Sequence, residues 1–419
     1  MSQIYQHQFT NGLWLVAELI EHAESLAMTI QVPAGVVAEP EDQQGIASLL
    51  AEMICRGAGD LAARAHSDAL DRLGVQRSTE VETNHLRLSA VMIGTKLTDA
   101  LPLLTDMVRR PMLAESTLAP IRDLALQALD ALEDEPQQKV FLELKRRHLP
   151  QPMARSPLGQ RSHIEAVSLD QLRQFWQAAF VPSVVETSEK SGSANAVIGF
   201  AGKFEWERLK DQVEHGLGDW SGQIKAARET TPAPRGYDHQ KAQTTQVHIG
   251  LMYDAVSECD ERSMLQRAAT WVLSGGMSGR LFTEVREKRG LCYSVYAVYA
   301  GQRDRGAVVS YAGTSKARAQ ETLDVMRSEH KRLSEGVEAD ECERALVGMK
   351  SGLVMQGESS GARARAITVD QYIYGRPRGL DEVEKEVEAV SLDLLRQFVA
   401  DNPPPPMTIV TVGPQALKA

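Results

Sequence analysis

Histidine and cysteine, which commonly bind zinc in proteins, are present in this chain but are not grouped along the sequence. None of the ten histidines has another histidine three or four residues away, the spacing that places two imidazoles on one face of a helix. The four cysteines, at positions 55, 259, 292 and 342, include no Cys-x-x-Cys pair. We therefore expect neither a paired-histidine zinc site, nor a zinc knuckle, nor a thioredoxin-like redox site.

A glycine-rich turn at residues 275–279, with Gly275, Gly276 and Ser278, invites comparison with a phosphate-binding loop. It lacks the spacing of such a loop and the Lys-Ser/Thr pair that contacts phosphate and Mg²⁺. The turn lies between two predicted helices, over residues 261–273 and 280–288. We interpret it as a close-packed turn that borders a cleft and binds no nucleotide.

The helix most relevant to chemistry is predicted over residues 45–56. Apolar residues recur there at i, i+3, i+4, i+7 and i+8, which is typical of a helix with one face in a core. These residues are Ile46, Leu49, Leu50, Met53 and Ile54. A break that contains Gly57 and Gly59 follows the helix and ends it.

The order of predicted elements in the first half of the chain recurs in the second half. Gly74 and Gly290 end corresponding helices and are 216 positions apart. Gly202 and Gly413 close corresponding strands and are 211 positions apart. A repeat unit of about half the chain predicts two similar domains.

We predict an N-terminal domain over residues 1–227, a linker over residues 228–240 and a C-terminal domain over residues 241–419. The linker is rich in proline, threonine and charged residues, a composition that cannot bury a core. Strands and helices are interspersed in both halves, so the predicted fold class is α+β. Each domain is expected to be a sheet covered by helices on one face.

Composition and charge exclude several classes of protein. Hydrophobic residues make up 43% of the chain and charged residues 24%, which is typical of a globular protein. The formal net charge of −10 disfavours nucleic acid as a partner. No apolar run reaches the roughly 18–20 residues that span a bilayer, and the first residues show no signal-peptide pattern. We expect a cytoplasmic protein, or a periplasmic one if a signal peptide has been removed.

The segment from Ser274 to Tyr296 closely resembles the second domain of pitrilysin-type metallopeptidases, also called inverzincins. This family includes the mitochondrial processing peptidase and its bacterial relatives. The resemblance extends over essentially the whole chain, including residues 45–57, 133–136 and 156–159. It implies two repeated domains per chain and a chamber that four such domains, from two chains, enclose.

The resemblance also implies a catalytic centre, which this chain lacks. The family binds zinc through a His-x-x-Glu-His motif on the first long helix and a glutamate from a later helix. The two histidine positions hold Ser48 and Glu52, the glutamate between them is replaced by Ala51, and the later glutamate by Ala128. A lone carboxylate cannot replace about three protein ligands. We therefore expect no metal or other cofactor in this chain.

A second part of the family's machinery is present. The resemblance assigns a substrate-binding role to an arginine and a tyrosine seven residues apart, and Arg286 and Tyr293 have this spacing. A tyrosine hydroxyl can donate to the oxyanion that forms when a peptide bond is hydrolysed, and an arginine can hold nearby carbonyl groups. These two residues are expected to contact substrate in trans, at the zinc site of another subunit.

The sequence thus predicts the non-catalytic subunit of a heterodimeric zinc peptidase. Its partner carries the intact His-x-x-Glu-His motif and the zinc ion, and its substrates are peptides or unfolded polypeptides added as a strand to a sheet edge. Two alternatives stay open. One is a purely structural subunit, like the family members in respiratory complexes, and the other is a homodimeric peptide-binding protein with no role in proteolysis.

Overall fold

The computed structural model describes residues 3–185 and 195–419. Contacts divide the chain into two compact units. Unit 1 comprises Met1–Ala131, Arg155–Thr230 and Gln356–Leu380, and unit 2 comprises Leu132–Ala154, Thr231–Met355 and Asp381–Ala419. In the part of the chain that the structure describes, no helix is long and apolar enough to cross a membrane.

The strands are short and mostly belong to two sheets. In chain order they are β1 (Gln3–Gln8), β2 (Trp14–Leu19), β3 (Ser25–Val32), β4 (Gly57–Ala58), β5 (Leu61–Ala62), β6 (Gln76–Val81), β7 (Leu86–Ile93), β8 (Ser183–Val185), β9 (Val197–Gly202), β10 (Gln223–Lys225), β11 (Tyr237–Lys241), β12 (Gln246–Ala255), β13 (Cys292–Gly301), β14 (Gly306–Ser315) and β15 (Thr408–Gly413).

Helices alternate with these strands along the chain. They are α1 (Ile46–Met53), α2 (Ala63–Arg72), α3 (Leu97–Arg109), α4 (Glu115–Ala131), α5 (Pro136–His148), α6 (Arg161–Ala166), α7 (Leu169–Ala179), α8 (Trp206–Leu217), α9 (Ser263–Ser274), α10 (Ala319–Leu333), α11 (Ala339–Gly357), α12 (Ser360–Tyr374), α13 (Leu380–Glu388) and α14 (Leu392–Asp401). A π-helix occupies Phe282–Glu287.

Several helix boundaries follow directly from local sequence. Pro136 opens α5, where its missing N–H has no intrahelical partner to lose. Ser168 and Gln171 form a capping box at the start of α7. Gly375 ends α12 at a φ of 72°, a left-handed conformation that glycine adopts without steric cost. These termini are encoded by the residues that form them.

The two sheets confirm the predicted repeat. The sheet of unit 1 has the order β1-β2-β9-β3-β7-β6, and that of unit 2 has the order β11-β15-β12-β14-β13. In both, one parallel pair (β2 with β9, β11 with β15) is followed by three antiparallel pairings. The sheet of unit 1 therefore differs by one extra edge strand, β1.

Helices cover the main face of each sheet, as predicted for the α+β class. In unit 1, alternate residues of β3 (Leu26, Met28 and Ile30) share one core with α1, α3, α7 and α8. In unit 2, alternate residues of β12 (Val247, Ile249 and Leu251) share a core with α9, α10 and α14. Period-2 alternation produces these cores, because every second side chain of a strand points to the same face.

The opposite face of each sheet carries one helix from the other half of the sequence, which the sequence did not predict. Helix α12 packs on β2, β3 and β9 of unit 1, and α5 packs on β12 and β15 of unit 2. The compact units therefore differ from the continuous halves 1–227 and 241–419. Residues 132–154 belong to unit 2 and residues 356–380 to unit 1, because apolar residues on the second face of each sheet require a cover.

Candidate functional site

The helix that corresponds to the family's zinc helix, α1, is shorter than the predicted 45–56. It begins after Gly45, whose φ is 105°. Beyond Met53 the amide groups of Cys55 and Arg56 bond to carbonyls three residues back, which tightens the chain into turns. Most of α1 is buried, and only Ser48 and Glu52 of this helix are accessible to solvent.

Ser48, at the first histidine position, is already hydrogen-bonded within the protein. Its hydroxyl donates to the carbonyl of Pro157 at 2.6 Å. The loop around Pro157 lies against the start of α1, and a Cβ on Gly159 would come within 2.4 Å of the Gly45 Cα. Ser48 therefore fastens this loop to the helix.

The other three zinc-motif positions offer one carboxylate between them. Glu52 is exposed, and its Oε2 lies 4.0 Å from Nη2 of Arg56. Ala51 is buried in the core, and Ala128 is exposed on α4. A hydroxyl bound to a carbonyl, one solvent-exposed carboxylate and two methyl groups do not make a zinc ligand set. Across residues 3–185 and 195–419, no group of three or more His, Cys, Asp or Glu side chains could hold a metal ion.

Arg286 lies on the π-helix of unit 2 rather than on the α-helix predicted over residues 280–288. The amide of Lys288 bonds to the carbonyl of Thr283, five residues back, at 2.9 Å, so the turn is wider than in an α-helix. The guanidinium carbon of Arg286 lies 4.7 Å from the centre of the Phe282 ring. π-helical turns are rare and are frequent at functional sites.

Tyr293 lies at an irregularity of the edge strand β13. Cys292 pairs with Thr314 and Ser294 with Gly313, so Tyr293 is an extra residue in the register. Such bulges redirect a side chain, and the Tyr293 side chain is 81% exposed.

The fold brings Arg286 and Tyr293 together, as their predicted shared role requires. The Arg286 guanidinium carbon lies 5.0 Å from the centre of the Tyr293 ring, within the range of a cation–π contact. The π-helix and the bulge thus place a cation and a phenol side by side at one end of an edge strand.

The neighbouring charges leave Arg286 without a carboxylate. Glu284 accepts hydrogen bonds from Lys288 at 2.7 Å and from Arg289 at 2.6 Å. These two cations hold the pKa of Glu284 below its ordinary value. Among the described residues, no carboxylate lies within ion-pair distance of Arg286.

Cys292, next to Tyr293, is not a nucleophile in this environment. Burial raises the pKa of its thiol to about 11, although the positive charge of Arg286 opposes the shift. The thiolate is the reactive form of cysteine, so a thiol with this pKa is inert near neutral pH.

The glycine turn at 275–279 is packed against the preceding helix at Gly275 and is exposed over residues 276–278. A Cβ on Gly275 would meet the Trp271 ring at 2.2 Å, and Gly276 has a φ of 129°. Ser278 borders a cavity of about 20 Å³, which can hold a water molecule but no nucleotide. Close packing accounts for Gly275 only, because a Cβ on Gly276 would meet no atom within 4 Å and both Gly276 and Ser278 are exposed. The predicted place of this turn at the border of a cleft stays a prediction.

Sequence reasoning missed Phe282, whose ring lies against the Arg286 guanidinium. The signal was available, because the two residues are four positions apart, the spacing of neighbours on a helical face.

Comparisons with known proteins bear on both halves of the chain. Residues 16–160 match the family model "Insulinase (Peptidase family M16)", and residues 191–348 match "Peptidase M16 inactive domain". An uncharacterized zinc protease of Bacillus subtilis is 26% identical over 410 residues, which cover 95% of this chain and 96% of that protein.

Solved structures show the same fold. The peptidase M16 inactive domain from Pseudomonas fluorescens has a TM-score of 0.86 at 21% identity and covers 100% of both chains. A chain of complex III2 from Candida albicans has a TM-score of 0.82 at 17% identity, covering 98% of this chain and 95% of that one.

Proposed function

This chain belongs to the pitrilysin-type peptidase family, and from that premise we propose that it is the non-catalytic subunit of a two-chain zinc peptidase. The partner subunit carries the intact His-x-x-Glu-His motif and the metal. This chain forms part of the peptide chamber and supplies Arg286 and Tyr293 to the partner's site.

One observation carries the proposal. Ser48, Ala51, Glu52 and Ala128 cannot bind zinc, whereas the Arg286 and Tyr293 side chains meet at 5.0 Å on an exposed surface. The loss of the zinc ligands alone would be expected of any inactive member of the family. Arg286 and Tyr293 are adjacent, and Arg286 forms no ion pair with a carboxylate of the described residues. This arrangement suits a subunit that still contacts substrate.

The two side chains have distinct parts in the proposed reaction. The Tyr293 hydroxyl donates a hydrogen bond to the oxygen that becomes negative as the peptide carbonyl is attacked. Arg286 holds a neighbouring group of the peptide without losing its charge, because a guanidinium stays protonated at any physiological pH. Neither residue transfers a proton from the attacking water, and that step belongs to the partner subunit.

A peptide can reach these groups as an extended strand. β13 is an edge strand of its sheet, with β14 on one side, and Tyr293 lies at its beginning. Edge strands present unpaired N–H and C=O groups that pair with an incoming chain. Binding through main-chain hydrogen bonds tolerates many sequences, which suits a subunit that handles peptides or unfolded polypeptides.

The first prediction concerns the reconstituted pair of subunits. Arg286→Ala and Tyr293→Phe should each lower kcat by one to three orders of magnitude, roughly the cost of losing one oxyanion contact. Steady-state hydrolysis of a fluorogenic peptide measures this effect. Lys288→Ala, directly after the π-helix, and Tyr296→Phe, on the same strand as Tyr293, are the matched controls and should retain activity.

Two results would contradict the proposal. Unchanged kinetics in both Arg286→Ala and Tyr293→Phe would remove the contribution in trans. Clear hydrolysis by this chain alone, with excess Zn²⁺, would contradict its assignment as non-catalytic.

A purely structural role is the second candidate. It is favoured by the similarity in fold to a chain of complex III2. A scaffold requires no exposed tyrosine beside an unpaired arginine. A structural role would be supported if the Arg286 and Tyr293 variants left the kinetics of the pair unchanged, while deletion of this chain prevented its protein complex from assembling.

A further inference from the structure

Arg286 differs from other buried and half-buried arginines of the chain in its partners. The Arg280 guanidinium donates to Glu341 at 2.7 Å, and the Arg332 guanidinium to Glu329 at 2.9 Å. In the described parts of the chain, the N–H groups of half-buried Arg286 have no acceptor. A guanidinium carries five N–H donors, so this site has a large unused capacity for hydrogen bonds.

Two aromatic rings fix the orientation of this guanidinium. Its central carbon lies over the Phe282 ring at 4.7 Å and over the Tyr293 ring at 5.0 Å. A guanidinium that lies over a ring keeps its edge free, and its donors lie on that edge. The rings thus restrain the side chain before a ligand arrives, which lowers the entropy lost on binding.

The Tyr293 hydroxyl is a further hydrogen-bond donor on a ring that the guanidinium lies over. No described residue forms a hydrogen bond with this hydroxyl, and the side chain is 81% exposed. A carboxylate accepts up to about four hydrogen bonds and pairs with arginine in a two-pronged geometry. A neutral carbonyl oxygen accepts fewer hydrogen bonds from the guanidinium and the hydroxyl, and it leaves the positive charge of Arg286 uncompensated.

We infer that Arg286, Phe282 and Tyr293 form a carboxylate-binding site that makes this subunit select peptides carrying a carboxylate next to the cleaved segment. The inference rests on the proposed function for its ligand class, a peptide. It extends that function from sequence-tolerant strand binding to a charge preference. Phe282 and the ring of Tyr293 orient Arg286, and the Arg286 guanidinium binds the carboxylate. The single O–H of Tyr293 can donate to the carboxylate only while it does not donate to the oxygen of the cleaved carbonyl.

The overall charge of the protein does not oppose this preference at close range. The chain has a formal net charge of −10, but at physiological salt exposed charges are screened beyond about 8 Å. Within residues 284–289 three cations face two carboxylates, and Glu284 is engaged by Lys288 and Arg289. The field at the Arg286 edge is therefore locally positive.

The experiment uses the full-length chain without a partner and three fluorescent decapeptides of one extended apolar sequence. The first has a central Gln and an amidated C-terminus, the second a central Glu and an amidated C-terminus, and the third a central Gln and a free C-terminal acid. Fluorescence anisotropy at 150 mM salt should give a Kd roughly tenfold lower for at least one carboxylate peptide, as for a hydrogen bond to a charged group. Preference for the second peptide identifies a side-chain carboxylate, and preference for the third identifies the C-terminus.

Variants assign the preference to the site. Arg286→Gln should abolish the difference between the peptides, and Phe282→Leu should reduce it. Lys288→Gln removes the same charge two residues away and should preserve it. Circular dichroism verifies that each variant is folded.

Equal Kd values for the three peptides, no binding of any of them up to millimolar concentration, or a preference that survives Arg286→Gln would each overturn the inference. This outcome is separable from the proposed function. Arg286→Ala can lower turnover of the reconstituted pair while the peptides bind equally, and the peptides can differ while the pair shows no dependence on Arg286.

Discussion

At the scale of the residue, the same side-chain type has different roles because its partners differ. Arg363 is buried and donates to Glu18 at 2.7 Å, where it neutralises a carboxylate inside unit 1. Arg286 is held by aromatic rings and has no carboxylate. A buried ion pair stabilises poorly but is costly to break, whereas an unpaired arginine is available to a ligand.

Buried histidines give the chain a pH dependence to which His85 and His330 contribute in the same direction, and the contribution of His330 can be tested by itself. His330 is fully buried, with Nδ1 3.1 Å from the Tyr253 hydroxyl and Nε2 2.8 Å from the Ser310 hydroxyl. Burial lowers the pKa of His330 to about 4 from an ordinary value of 6.5. The folded protein therefore keeps this imidazole neutral over a range in which the unfolded chain protonates it.

The second prediction follows from that difference. As the pH falls below 6.5 the unfolded state takes up the proton first, so stability is lost until the folded-state pKa near 4 is reached. The free energy of unfolding should fall by about 2 kcal/mol between pH 7 and pH 5 through this group. Urea titrations at both pH values should show a smaller drop for His330→Gln than for the wild type.

Ser310→Ala is the matched control for His330. It removes one hydrogen bond to the imidazole but leaves the ring buried, so it should lower stability at both pH values and retain most of the pH-dependent drop. The same drop in His330→Gln as in the wild type would show that this histidine is not responsible.

At the scale of the element, irregular backbone positions the candidate site. A regular α-helix over residues 280–288 would place Arg286 at a different angle, and a regular β13 would give Tyr293 a partner residue on β14. The wide turn at Lys288 changes the direction of the Arg286 side chain, and the bulge at Tyr293 changes that of the Tyr293 side chain. Two local departures from regular structure thus produce one cation–π pair.

Close packing at another element holds α12 on the sheet of unit 1. A Cβ on Gly199 of β9 would meet the Thr368 Oγ1 at 2.0 Å and the Ala364 carbonyl oxygen at 3.0 Å. Glycine at this position lets the helix approach the strand more closely than any other residue allows.

The third prediction tests this contact. Gly199→Ala should destabilise the protein by about 1–3 kcal/mol, because the added methyl group forces α12 away from β9. Gly361→Ala, on α12 itself, is the control, since its Cβ would lie 3.5 Å from the nearest atom, an ordinary contact. It should be neutral or stabilise by up to about 1 kcal/mol. Equal urea midpoints for Gly199→Ala and the wild type would contradict the argument.

At the scale of the whole molecule, the two sequence halves exchange one helix each. Helix α12 covers Val16 and Val197 of unit 1 with Ile367, and α5 covers Val410 and Val412 of unit 2 with Val140. Each unit is complete only with a segment from the other half. The repeat in sequence is therefore not a repeat of independent folding units.

The fourth prediction concerns fragments. A fragment of residues 1–230 should not unfold cooperatively, because it exposes Val16, Ala27 and Val197 and leaves the buried Glu18 without Arg363. Joining residues 356–380 to its end through a flexible Gly/Ser linker should restore a cooperative transition. Urea unfolding followed by circular dichroism distinguishes the two, and a sharp transition in the short fragment would contradict the exchange as a requirement.

The sequence alone determined the family, the repeat and the loss of the His-x-x-Glu-His residues at positions 48, 51 and 52 and of the later glutamate at position 128. These conclusions depend on residue identity and spacing, which are local quantities. The positions of α1 and the main core followed from apolar periodicity, which reports one buried face of each element.

Only the tertiary structure decided that α5 packs on the sheet of unit 2 and α12 on the sheet of unit 1. It also decided that Arg286 lies on a π-helix and that its guanidinium lies over the Phe282 ring. Periodicity shows that an element has a buried face, but it does not identify the sheet that buries it, because that contact joins residues far apart in sequence. The turn at Lys288 depends in the same way on how the chain packs beyond it. The proposed roles of Arg286 and Tyr293 thus depend on two things. The sequence gives their residue types, and long-range packing brings their side chains together.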